Sequence, residues 1–273
     1  MVEIREESST RNGEDEQPST SSSASSGAGS GPTNANYGTM TLSEFVKTRT
    51  MDCTMFATRL LTLFFAFSYF IPGPNDADAY YYKALAAAAA TNALRLQQRL
   101  GGVTLSREFL QRLIAEDSAH YLFYSIVFLT TGSVTMALLP ITLYAALHAA
   151  NFAVVIMQNT GRANSSFCLK LQNICSTQTQ NCLGIVACTE IFIVPLLVSL
   201  IFIGKASLFV PFVYYRFLSM RYSSRRNPYT RQAFYQMRVS LQQISYSPSC
   251  PTLVANLINR AVMIISNLAP PTY

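Results

Sequence analysis

The sequence predicts an all-α, polytopic membrane protein with interfacial amphipathic helices and a disordered N-terminal head. Half of the 273 residues are hydrophobic and only 12% are charged, about half the charged share of a soluble domain. The apolar residues gather in blocks too long for ordinary core helices. Charge is also sorted along the chain. The first 38 residues carry Glu3, Glu6, Glu7, Glu14, Asp15 and Glu16 against Arg5 and Arg11. Beyond Glu190 there is no acid, only Lys205, Arg216, Arg221, Arg225, Arg226, Arg231, Arg238 and Arg260.

Three regions follow: an acidic, Ser/Gly-rich head over 1–50, a hydrophobic membrane domain over 51–210, and a basic amphipathic cytosolic tail over 211–273. Residues 8–38 show no apolar period and too little apolar area to offset the entropy of ordering, so disorder is expected. No apolar core follows Met1, so no cleavable signal peptide is expected and the first span must act as the targeting signal.

The first span covers 55–71 and stops at Pro72-Gly73-Pro74. At about 1.5 Å per residue it reaches about 25 Å, short for a hydrocarbon core of about 30 Å. Arg59, one turn in, is placed to snorkel toward the headgroups. Residues 79–100 are strong helix formers, but Lys83, Arg95 and Arg99 mark a cytosol-facing or interfacial helix ended by Gly101-Gly102. Ser106 reads as an N-cap with Glu108 in the first turn of a helix that is polar to Asp117 and apolar from Tyr121 to Thr131. Gly132-Ser133 and Pro140 interrupt the apolar region that runs on to Met157. A span near 133–155, with or without a hairpin leg at 119–131, accounts for it. Residues 158–183 read as a polar loop, and 184–204 as a third span with a kink at Pro195.

Basic residues bordering the spans set the orientation. With three spans, 72–118 and the tail are cytosolic, while the head and the 158–183 loop are lumenal. A fourth crossing, or a hairpin, returns the head to the cytosol.

In the tail, Phe234, Met237, Leu241 and Ile244 fall at helical spacing. A wider stripe runs through Leu253, Val254, Leu257, Ile258, Ala261, Val262, Ile264, Ile265 and Leu268, with Asn256, Asn259, Arg260 and Asn267 facing away. The second pattern fits a helix lying in a membrane interface. Leu257, Ile258, Val262 and Ile265 are the candidate inserting residues. Arg221, Arg225 and Arg226 are the candidate contacts to anionic lipid, at about 1 kcal/mol each before screening. The rival reading packs both helices on the protein's own spans. Nucleic-acid binding is not expected, because the basic cluster abuts a bilayer.

Signals for chemistry are sparse. Six cysteines form no CxxC pair, and Cys168, Cys175 and Cys182, seven apart, share a helix face without making a metal site. Asp117 and His120 are spaced for one helix face, where a helix-boundary hydrogen bond is the default over a metal or proton relay. Glu190 lies inside a span, with Thr189 and Asn181 as available partners; a structural role is favoured over ion conduction. Asn164-Ser165-Ser166 is a glycosylation sequon that would report topology. No catalytic residue, metal site or cofactor is expected.

Several stretches are similar to the transmembrane protein 33 family, called Krüppel homologue 2 in insects, with fungal relatives at nuclear pores. They are ALRLQQRL at 93–100, EDSAHYL at 116–122, ACTEIF at 187–192, PFVYYRFL at 211–218 and, most specific, RYSSRRNPY at 221–229. The resemblance spans about 50–270 and excludes the head. It implies a protein of the endoplasmic reticulum and nuclear envelope that organises the tubular network with reticulon-type partners and, through nuclear pore components, pore distribution. It also implies, for some members, a role in stress signalling, and in fungal members a C-terminal amphipathic helix on membranes. A non-enzymatic membrane organiser is the leading expectation. The alternatives are a regulatory adaptor in stress signalling and, resting on Glu190 and His120, a channel or membrane enzyme.

Overall fold

A computed structural model describes residues 40–71, 76–101, 106–224, 227–248 and 250–269. The head stretch 8–38, the Pro72-Gly73-Pro74 stop, Gly102, Arg225 and Arg226 lie outside the described residues. Among those described there is no strand. Ten helices run in order: α1 (Leu42–Thr48), α2 (Thr50–Phe70), α3 (Ala77–Leu100), α4 (Arg107–Ala115), α5 (Asp117–Leu129), α6 (Leu138–Asn159), α7 (Ser166–Phe202), α8 (Phe209–Ser223), α9 (Tyr229–Ser245) and α10 (Thr252–Leu268). A single 3-10 turn, Thr135–Ala137, precedes α6.

Local chemistry fixes many of the boundaries. Thr41 and Glu44 form a capping box that starts α1, and the side-chain and backbone bonds from Thr41 hold the Glu44 carboxyl below its usual pKa. This helix falls within the stretch read as head. It is ordered because Phe45 is buried, with its ring 6.0 Å from that of Phe152 on α6. Asp76 caps α3, and Ser106 caps α4 by accepting from the Phe109 amide, as its position predicts. Gly204 adopts φ +76° after α7. Its amide bonds Ile201 and the Lys205 amide bonds Leu200, the paired C-terminal bonds of a Schellman motif.

Among the described residues three helices are long and apolar enough to cross a membrane: Thr50–Phe70, Thr135–Asn159 and Ser166–Phe202. The expected spans are present, but their surroundings differ from expectation. The stretch 158–183 is no loop; most of it is the first half of α7. Hydropathy marks what sits in lipid, whereas helicity needs only a satisfied backbone, and Cys168, Cys175 and Thr179 give this polar half its own buried face. Pro140 interrupts nothing. It lies in the first turn of α6, where amides lack helical partners anyway. The helix expected to run on from Ser106 breaks at Glu116, whose backbone is extended and whose carboxylate accepts from Arg99 at 3.1 Å.

The helix expected over 79–100 is α3, and one of its faces packs into the bundle. Tyr81, Ala84, Leu85, Ala88 and Thr91 form a buried stripe along α2 and α5. Its alanines let backbones approach closely, as small residues do between membrane helices. Thr91 reaches Thr58 of α2 at 2.8 Å. Arg59 does not snorkel outward. It is 4% exposed and faces the bundle, where a membrane-embedded charge meets polar neighbours instead of lipid.

Contacts between helix ends show how the chain is threaded. At one end, Tyr69 meets Thr135 at 2.7 Å and Tyr82 donates to the Thr131 carbonyl. At the other, Met40 bonds Asn159, Arg99 pairs with Glu116, and Arg221 pairs with Asp117. Helices α2, α3, α5, α6, α7 and α8 therefore run alternately up and down. The core between them is Tyr81, Leu85, Tyr124, Phe128, Leu138, Ile193, Leu197, Tyr214 and Phe217. Phe64 and Phe67 of α2 point outward. Leaving such side chains in water forfeits about 1.5–3 kcal/mol each, so that face belongs in hydrocarbon.

Three helices keep the length and composition of spans, and the threading is consistent with the alternative in which a further crossing or hairpin brings Met40 to the side of the tail. Met40, the turn holding Asn164 and the tail share one end of the bundle. Tags placed just before Met40 and after Ala269 are expected to give the same protease protection in sealed microsomes. Asn164 should be glycosylated only if both tags are protected. Tags with opposite protection would overturn the alternating arrangement.

Candidate functional site

The most constrained chemistry lies where α8 meets the tail. Arg221, near the end of α8, is completely buried. Its Nε donates toward both Glu190 carboxylate oxygens at 3.3 Å, its Nη1 to Asp117 at 3.1 Å and its Nη2 to the Tyr144 hydroxyl at 3.0 Å. The guanidinium lies 5.0 Å from the centre of the Tyr121 ring. One cation thus ties together α5, α6, α7 and α8.

Neighbouring groups complete the cage. The Tyr121 hydroxyl donates to the Glu190 carboxylate, and the Tyr214 hydroxyl donates to the Glu190 carbonyl at 2.9 Å. Ser224 donates to Asp117 at 3.2 Å, and Asn227 to the Tyr144 hydroxyl at 3.4 Å. Asn227 also accepts the Tyr229 amide at the start of α9, while Arg231 donates to the carbonyls of Tyr222 and Ser224. Of the stretch 221–229, the side chains of Arg221, Ser224 and Asn227 reach into the cage.

This overturns the reading of Arg221 as a headgroup contact. A basic run beside a span suggests lipid, but Arg221 is turned inward by two carboxylates on other helices. The partners expected for Glu190 are also corrected. Thr189 donates to its own helix at the Ile185 carbonyl, and the Asn181 side chain bonds Gln178. The signal that could have found Arg221 was present: an acid inside an apolar span calls for a cation, and arginines followed it in sequence. His120 makes the expected helix-boundary bond, Nε2 to the Ile114 carbonyl at 2.7 Å, across the α4–α5 break. Among the described residues no group of three His, Cys, Asp or Glu side chains is placed to hold a metal.

The tail helices offer a different kind of surface. α10 rests on α9 through a narrow edge, where Asn259 lies 3.3 Å from the Ser245 hydroxyl. Ile258 and Val262 are half-buried on that side, whereas Leu257 and Ile265 are exposed together with Leu253, Val254, Met263 and Ile264. The expectation that Asn259 faces away is corrected, since it belongs to the docking edge. Asn164 is exposed on the turn between α6 and α7.

The profile described as Transmembrane protein 33/Nucleoporin POM33 matches residues 34–271, from before α1 to beyond α10. The chain belongs to the transmembrane protein 33/nucleoporin POM33 family. It is similar to a transmembrane protein 33 homolog of Caenorhabditis elegans, 57% identical over 84% of this chain and 86% of the relative. It is 40% identical to human transmembrane protein 33 over 83% of this chain and 93% of that protein. Krueppel homolog 2 of Drosophila melanogaster is 37% identical, covering 84% and 82%. No solved structure matches the chain. Membership of the transmembrane protein 33 family and the three apolar helices establish a membrane protein.

The cage predicts a specific pattern of stability. Arg221→Met leaves two carboxylates without their cation and should cost about 3–5 kcal/mol in detergent unfolding, as breaking a buried pair does. Removing Glu190 as well, in Arg221→Met with Glu190→Leu, should recover a clear part of that loss. Equal losses in the single and double variants would show that the ion pair does not carry the effect.

Proposed function

We propose that this protein is a non-enzymatic organiser of endoplasmic reticulum and nuclear envelope membranes. It shapes the tubular network through reticulon-type partners and, through nuclear pore components, the distribution of pores. The observation that carries this reading is the exposed apolar face of α10. A helix with Leu253, Leu257, Ile264 and Ile265 uncovered is suited to lie in one leaflet and occupy area there that the other leaflet does not match. The word nucleoporin in the family description supports the nuclear envelope half of the proposal.

Charge supports the orientation. The bundle end that carries the tail also gathers Arg49, Arg95, Arg99, Arg107, Arg112, Arg162 and Lys170, while Lys83 and Lys205 lie toward the opposite end. The positive-inside tendency supports a cytosolic position for the richer end. Arg221 contributes to the architecture, and anionic-lipid contact falls to basic residues outside the cage. A regulatory adaptor in stress signalling is the second reading, favoured by the rigidly rooted tail that a partner could bind. Against a channel, the Glu190 carboxylate is already held by Arg221 and Tyr121.

Reconstituted full-length protein is expected to deform liposomes into tubules. Leu257→Asp with Ile265→Asp should remove most of that activity while leaving the unfolding temperature unchanged, because both side chains are exposed. Undiminished tubulation by the variant would remove α10 as the wedge. Unaltered liposomes together with stable capture of a partner would favour the adaptor.

A further inference from the structure

At the end of the bundle away from the tail, a cavity of ≈ 320 Å³ opens between the start of α3, the 131–134 loop, the end of α7 and the start of α8. Its walls divide by chemistry. Asp78 and Lys205 supply opposite charges, Tyr82, Thr131 and Ser133 supply hydroxyls, and Leu197, Leu200 and Val210 supply an apolar side. Neither Asp78 nor Lys205 makes an ion pair with another described residue, and both are exposed.

The positions of these groups are fixed by the fold. Lys205 follows Gly204 in the Schellman motif, so its backbone is pinned to Leu200. Asp78 sits in the first turn of α3, behind the Asp76 cap. Tyr82 is held by its bond to the Thr131 carbonyl at 3.0 Å. The apolar wall continues outward to exposed Phe202, Ile203, Leu208 and Phe209, side chains that lie where the α7 span ends.

We infer that this cavity binds the headgroup of a zwitterionic phospholipid. The site pairs one cation with one anion at the level of the membrane interface and opens onto an apolar surface. Phosphoethanolamine carries the matching charges: its phosphate meets Lys205 and the Ser133 hydroxyl, and its ammonium meets Asp78. The acyl chains run down beside Leu200 and Val210. The volume, at the low end of the usual range of about 300–1,000 Å³, suits a headgroup and not a whole lipid. Exposed charge pairs are individually weak, so selectivity comes from both charges together and retention from the chains. The site lies opposite the basic end and is independent of the α10 wedge.

The test uses full-length protein, delipidated in mild detergent and titrated with phosphatidylethanolamine under native mass spectrometry. One tightly held lipid per chain is expected, with binding at least ten-fold weaker for Lys205→Glu and for Asp78→Lys. Lys205→Arg, and Lys83→Glu as a control outside the cavity, should bind as the parent does. Phosphatidylglycerol, which lacks the ammonium, should bind at least ten-fold more weakly than phosphatidylethanolamine. Equal binding of the two lipids, or unchanged binding in both charge variants, would overturn the site. Competition by soluble glycerophosphoethanolamine at the same concentration as the lipid would overturn the membrane source and leave a free headgroup as the ligand.

Discussion

An arginine buried in an apolar bundle is tolerable only if its charge is answered on the spot, and this requirement organises the end of the bundle that carries the tail. Moving an isolated guanidinium out of water costs several kcal/mol even after relaxation. Arg221 meets that cost with Glu190 on α7, Asp117 on α5 and Tyr144 on α6. The three partners come from helices far apart in sequence, so the cage can close only when the bundle has assembled in one register. A one-turn slip of α8 would move Arg221 about 5.4 Å and break all three contacts at once. The ion cage is thus compatible with one register of α8 against α5, α6 and α7.

The same geometry explains why the bundle mixes long and short helices. α2, α6 and α7 have the length and composition of membrane spans. α5 and α8, with 13 and 15 residues, fall short of the roughly 20 needed to cross alone. α8 packs inside because Arg221, buried near its end, is answered by Glu190 and by Asp117, whose carboxylate stays partly exposed at the start of α5. α3 solves a related problem with alanines and threonines, packing closely enough to keep its polar groups against neighbours. The short helices are thus held by what they touch, whereas the long ones are held by what surrounds them.

This division also accounts for what the sequence reveals. The three long helices were legible because lipid imposes composition directly, through runs of Leu, Ile and Phe. Caps at Ser106 and Gly101 were legible because they depend on single residues with local geometry. α5 was legible only as an optional hairpin leg at 119–131, and the packing of α3 and α8 into the bundle was hidden, since charged ends and short lengths imitate a soluble or interfacial helix. The polar half of α7 was hidden for the opposite reason: its residues resemble a loop in hydropathy while their backbone is regular. Arg221, in a basic run beside a span, suggests a lipid contact, yet its neighbours are Glu190 and Asp117. Residue type announces that a charge needs a partner, but only the fold says whether that partner is a phosphate or a carboxylate.

α7 runs unbroken for 37 residues, with Pro195 near its far end. At about 1.5 Å per residue it is about 55 Å long, against about 30 Å of hydrocarbon, and its Ser166 end lies about 43 Å from the proline. Such a rod has the proportions of a lever. A swing of only about 10° at Pro195, the natural flexure point, would sweep the Ser166 end through about 8 Å. α9 rests on α7 through Ala187 and Ile191, close to the proline, so the tail sits near the pivot and the polar Ser166 end carries the long arm.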